Sequence, residues 1–134
     1  MKAQASVEYL VIIGLALAIL VPLILYSNQN LLGYKEDVKI SSAKAAASKI
    51  AESANWVYSQ GPPARLTINV CIPEGVEEVL LDSMVLFKLK TSAGIVDIYS
   101  DTIPMLNGSV PTNNGCYFIA LIADKYSVNI TVVE

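Results

Sequence analysis

YLVIIGLALAILVPLILY, residues 9–26, decides how the rest of this 134-residue chain is read. None of these 18 residues is charged. Apolar side chains occupy every face of the helix they would form, a texture suited to lipid or to the centre of a bundle. A hydrocarbon core of roughly 30 Å takes about 20 such residues to span, so the run lies at the lower edge of a single-pass membrane helix. Pro22 lacks an amide donor and predicts a kink inside it.

Downstream the texture changes but the helical period persists. Leu31, Tyr34, Val38, Ala45, Ala46, Ile50, Ala54 and Val57 recur at steps of three, four or seven, which predicts one apolar face. Lys35, Glu36, Lys39, Lys44, Lys49 and Glu52 lie mostly elsewhere. Alanine is frequent here; it is the best helix former, and its small side chain lets another layer come close. A helix from Gln4 to Gln60 would be roughly 85 Å long at 1.5 Å per residue. Asn28-Gln29-Asn30 followed by Gly33 is a second weak point, so a bent helix of one or two segments is expected. Gly61-Pro62-Pro63 predicts its end.

After Pro63 the period falls to two. Leu66, Ile68 and Val70 alternate with Thr67, Asn69 and Cys71. Further short runs cover 84–90, 95–99, 116–123 and 126–133, with Asp124-Lys125 as a hairpin connection. Pro73-Glu74-Gly75, Ala93-Gly94, Asn107-Gly108 and Asn113-Asn114-Gly115 are turn chemistry. The fold class expected is α+β: a long hydrophobic N-terminal helix, then a small antiparallel β-sandwich or partial barrel over 61–134. A domain of that size has a thin core and gains from covering the alanine-rich helix face.

Composition narrows function. Hydrophobic residues make up 54% of the chain and charged ones 16%, with a net charge of -3 and no histidine. No basic stripe recommends a nucleic acid. The commonest general base and metal ligand is absent. No cofactor or nucleotide site and no catalytic set is evident, so an enzyme is not expected.

The sharpest motif precedes the apolar run: Lys2-Ala3-Gln4-Ala5-Ser6-Val7-Glu8-Tyr9-Leu10. It resembles the class III signal peptides of archaeal type IV pilins, whose pattern Gln-x-Ser-x-Glu-Tyr follows a short leader. Gln4, Ser6, Glu8 and Tyr9 match in register, and Ala3 stands where the family has a small residue, often glycine. The resemblance implies a leader of residues 1–3, cut between Ala3 and Gln4 by a membrane prepilin peptidase, and a helix from residue 4 to 60. A secretory signal is instead cut after its apolar segment, and Pro22, Leu23 and Leu25 offer no small-residue site there. Cutting before the run retains it as a membrane anchor and later as filament core.

By the same resemblance, Glu8 pairs with the new α-amino group of Gln4 in a neighbouring subunit, with Tyr9 beside it in the assembly motif. A carboxylate entering lipid costs a few kcal/mol, and pairing makes it tolerable; otherwise Glu8 rests among headgroups. The implied partners are further copies of the chain, the peptidase, an assembly ATPase and a membrane platform protein. The implied location is the membrane for the precursor and the extracellular surface for an adhesive filament. A minor pilin, or a single-pass membrane protein with an external β binding domain, remains the alternative.

An extracytoplasmic location would let Cys71 and Cys116 form a disulfide; otherwise they are two buried free thiols. Asn107-Gly108-Ser109 and Asn129-Ile130-Thr131 fit the N-glycosylation pattern. Asn107, in a turn-like segment, is the better acceptor, while Asn129 falls in an expected strand. Glu74, Glu77, Glu78 and Asp82 read as a solvated loop rather than a cation site. Trp56 and Tyr58 are expected to pack against the β domain.

Overall fold

The computed structural model describes residues 2–133. The chain divides into two compact units, one ending at Glu36 and the other beginning at Asp37. Helix α1, Lys2–Gln60, contributes to both. Helical structure continues through Pro22 and through Asn28–Gly33, so the two-segment alternative is not what forms. Pro22 removes a single i→i−4 bond, and the leucine, isoleucine and alanine around it favour the helix on both sides. The helix stops where expected in physical terms: Gly61 adopts a positive φ of 76°, its N–H bonds the Tyr58 carbonyl at 3.1 Å, and two prolines follow.

The second unit carries seven strands: β1 (Arg65–Ile72), β2 (Val76–Leu81), β3 (Met84–Thr91), β4 (Gly94–Asp101), β5 (Met105–Gly108), β6 (Gly115–Ala123) and β7 (Ser127–Val133). They form a four-stranded sheet in the order β1-β6-β7-β5 and a three-stranded sheet β2-β3-β4. The sheets adjoin where β5 meets the β2–β3 turn; the Leu106 N–H bonds the Asp82 carbonyl at 2.8 Å. The fold is thus α+β, with all strand pairs antiparallel except β5–β7, which is parallel. Two strands depart from the sequence expectation. β2 occupies the acidic stretch read as a loop, and β5 occupies the Asn107-Gly108 stretch read as a turn.

The reason β2 hides is a bulge between Val76 and Glu78. It puts Glu77 and Glu78 both outward while Val76, Val79 and Leu81 turn inward, so the period of two is lost. β5 hides because it is four residues long and ends in Asn-Gly, a turn signal.

The inward side chains follow the alternation. Val70 and Ile72 of β1, Val85, Phe87 and Leu89 of β3, Ile119 and Leu121 of β6, and Val128 and Ile130 of β7 are fully buried. They meet a helix stripe of Ala43, Ala46, Ala47, Ile50, Ala51, Ala54 and Val57. Of the expected face, Ala46, Ile50, Ala54 and Val57 are buried here. Leu31, Tyr34, Val38 and Ala45 are exposed, because burial against the sheets starts only near Ile40 and Ala45 lies at the edge of the buried stripe. On one flank, Lys49 Nζ donates to the Asn69 carbonyl of β1. On the other, Ile40 and Lys44 border Val96–Tyr99 of β4.

Candidate assembly surface

The first unit is a helix with nothing covering it. Every large apolar side chain from Val7 to Tyr26 is 46–71% exposed. Fully burying one such side chain stabilises by about 1.5–3 kcal/mol. With about half of each still open, the run holds back on the order of 10–20 kcal/mol of hydrophobic free energy. That rivals the roughly 5–15 kcal/mol that holds a whole domain folded. The run is long and apolar enough to cross a membrane.

The motif residues sit at the start of this helix. Ala3, Gln4, Glu8 and Tyr9 are all helical and exposed. Gln4 and Glu8 are four residues apart and share one helix face. The proposed leader includes Met1, which lies outside the described residues, and Lys2 and Ala3, which are already in the first turn. A helix's first turn leaves its N–H groups without intrahelical partners, so unwinding it for a protease costs less than unwinding the interior.

Exposure does not stop where the uncharged run ends. After the polar Ser27-Asn28-Gln29-Asn30, Leu31, Leu32 and Tyr34 are 55%, 67% and 69% exposed. Leu23, Tyr26, Ser27, Asn30, Leu31 and Tyr34 line a shallow groove along this part of the helix.

In the second unit the two cysteines are brought together. Cys71 on β1 and Cys116 on β6 are direct register partners and form a disulfide with a Cα–Cα distance of 3.9 Å. Both face outward and are exposed, so the reading of two buried thiols does not hold. The alternation explains it: Cys71 belongs to the outward set with Thr67 and Asn69. The bridge spans 45 residues of sequence and encloses all of β2–β5.

The acidic cluster is built differently from a loop. Glu78 pairs with Lys88 of β3 at 3.1 Å, Glu77 approaches Lys90 at 4.0 Å and Glu74 approaches Lys39 at 3.9 Å. Glu78 and Lys88 are cross-strand register partners, and Asp97 of β4 stands opposite Lys88 on its other side. The Glu78 carboxylate, first by its hydrogen bond and then by its charge, raises the Lys88 pKa above its ordinary value of 10.5, with a lesser contribution from Asp97. Carboxylates matched one to one with lysines are surface pairing, not a cation cage. No cluster of three or more potential metal ligands occurs among the described residues.

Asn107 and Asn129 are exposed on β5 and β7, so Asn107 is a strand residue rather than a turn residue. Tyr58 packs against the core. Trp56 does not: it is 53% exposed, because the buried stripe passes through Ala54 and Val57 and Trp56 points to the flank. Comparison with protein-family models, with curated proteins and with solved structures returned no match.

Proposed function

We propose that this chain is a structural subunit of an archaeal type IV pilus-like surface filament, made as a precursor and cut between Ala3 and Gln4. The observation that carries the proposal is the apolar surface of α1 continuing past the length a hydrocarbon core covers. Lipid accounts for Tyr9–Tyr26. It leaves Leu31, Leu32 and Tyr34 outside the hydrocarbon core, beyond a polar interruption. Helices of neighbouring copies, packed side by side, cover both stretches at once, which is what a filament core does. The Gln4-x-Ser6-x-Glu8-Tyr9 pattern at the head of that surface supports the same reading.

In this account the membrane holds the subunit before assembly, through residues 9–26. Glu8 then pairs with the freed α-amino group of Gln4 on an adjacent copy, which gives its charge a partner as water is lost. The β domain lies outside, where its disulfide persists. A prepilin peptidase makes the cut, and a separate ATPase and platform protein drive extrusion; adhesion is the role proposed for the product.

Mass spectrometry of the N-terminus, on protein sheared from the cell surface, tests this. A chain starting at Gln4 in high-molecular-weight extracellular material is expected. A chain starting at Met1 and confined to membranes overturns it and leaves a single-pass anchor carrying an external β domain.

A further inference from the structure

The two Asn-x-Ser/Thr triplets are 22 residues apart in sequence yet lie against each other in the fold. β5 and β7 are parallel, and their register pairs Asn107 with Asn129 and Gly108 with Ile130. The first two residues of each triplet thus run side by side in the same direction. Both asparagines are exposed, while their neighbours Leu106, Val128 and Ile130 are buried, so both side chains leave the same outer face. Their backbones touch closely: Gly108 has a φ of 122°, and a Cβ placed on it would collide with the Ile130 carbonyl. Adjacent strands are about 4.8 Å apart, a distance comparable to the width of one sugar ring.

We propose that Asn107 and Asn129 form one N-glycan site, shared between two acceptors, which carries a single glycan per chain. This needs only that the β domain lie outside the cytoplasm, which its exposed disulfide favours, and does not depend on filament assembly. In the transfer, the carboxamide nitrogen of one asparagine bonds to the anomeric carbon of a polyprenyl-phosphate-linked oligosaccharide. The bond from that carbon to the phosphate oxygen breaks, the lipid phosphate leaves with the electron pair, and the nitrogen gives up one proton. A membrane glycosyltransferase must grip the acceptor triplet to do this. On the folded chain a glycan on one strand occupies the space needed to grip the other. β5 is a four-residue edge strand paired only with β7, whereas β7 is paired on both sides, so Asn107 is the acceptor that is freed more readily.

Intact-mass and glycopeptide analysis of the protein from its own host tests the proposal, using the native chain, N107Q, N129Q and the double variant. The native chain should carry one glycan, mostly on Asn107. Each single variant should still carry one, on the remaining asparagine, and the double variant none. Two glycans on one native chain would overturn the competition. An unmodified native chain would overturn the site. Loss of the glycan in one single variant and full retention in the other would overturn the sharing.

Discussion

Asn55 on α1 accepts a hydrogen bond through Oδ1 from the backbone N–H of Ile103, at 2.8 Å, across 48 residues of sequence. It ties the last turns of the helix to the connection between β4 and β5, next to the place where the two sheets adjoin. The bond is exposed, so water replaces part of it when it is lost. Asn55→Ala should lower stability by about 1 kcal/mol, read as a shift in the urea midpoint with an unchanged slope. A loss above 3 kcal/mol would mean that Asn55 does more than accept this bond.

The disulfide predicts a larger effect. In the chain-entropy account, a bridge closing a loop of this size stabilises by about 4 kcal/mol, a sizeable part of the 5–15 kcal/mol typical of a domain. The Cys71→Ser/Cys116→Ser double variant, or the reduced native chain, should melt well below the oxidised one. Thermal unfolding followed by circular dichroism, with and without reductant, reads this directly. Equal melting temperatures would show that the antiparallel β1–β6 pairing holds the loop without the bridge.

Two alanines two residues apart distinguish the helix faces. Ala47 is fully buried against the sheets and Ala45 is exposed. Ala47→Leu should cost about 1–3 kcal/mol through overpacking, while Ala45→Leu should stay within about 0.5 kcal/mol of the native chain. Paired denaturation curves check both. The reverse order would place the buried stripe one residue away from where it is described.

The Glu78–Lys88 pair sets an alkaline limit. The Lys88 pKa is raised in the folded chain, so its contribution is present below its unfolded value near 10.5 and fades as pH rises through the higher folded value. Glu78→Gln should bring the Lys88 pKa down towards its ordinary value, visible as an earlier shift of the side-chain methylene signals in an NMR titration. Because the pair lies at the surface, added salt should shrink the difference between variants. A titration that does not move would remove Glu78 as the cause.

Within the proposed function, Glu8 is the residue whose charge matters and whose bulk does not. Glu8→Gln keeps the shape but loses the partner for a neighbouring amino group. Processed chains beginning at Gln4 should then collect in the membrane, with few or no filaments in electron micrographs of the cell surface. Normal filament numbers would assign Glu8 to the headgroup region alone.

How far the sequence alone led depends on which physical signal each element carries. The apolar run, the helix stop at Gly61-Pro62-Pro63 and the alternation of Leu66, Ile68 and Val70 are local patterns, and each appears in the structure. β2 was not legible, because a bulge at Val76–Glu78 erased its alternation. β5 was not legible, because a four-residue parallel pairing with β7 leaves no mark in its own residues. The exposure of Trp56 was not legible either. An aromatic residue one position off a buried stripe has the same composition as one on it.

By itself the sequence determined the α+β plan, the uncovered apolar helix and the motif at its head, since each depends on residues close together in the chain. Only the tertiary structure decided which residues meet across long separations. It set Cys71 opposite Cys116 on an outer face, Glu78 beside Lys88, and Asn107 beside Asn129. It also brought Ala43, Ala47 and Ala51 of the helix against the sheets. Strand register and helix rotation come from how two surfaces fit together over the whole core, and no short stretch of residues contains that information.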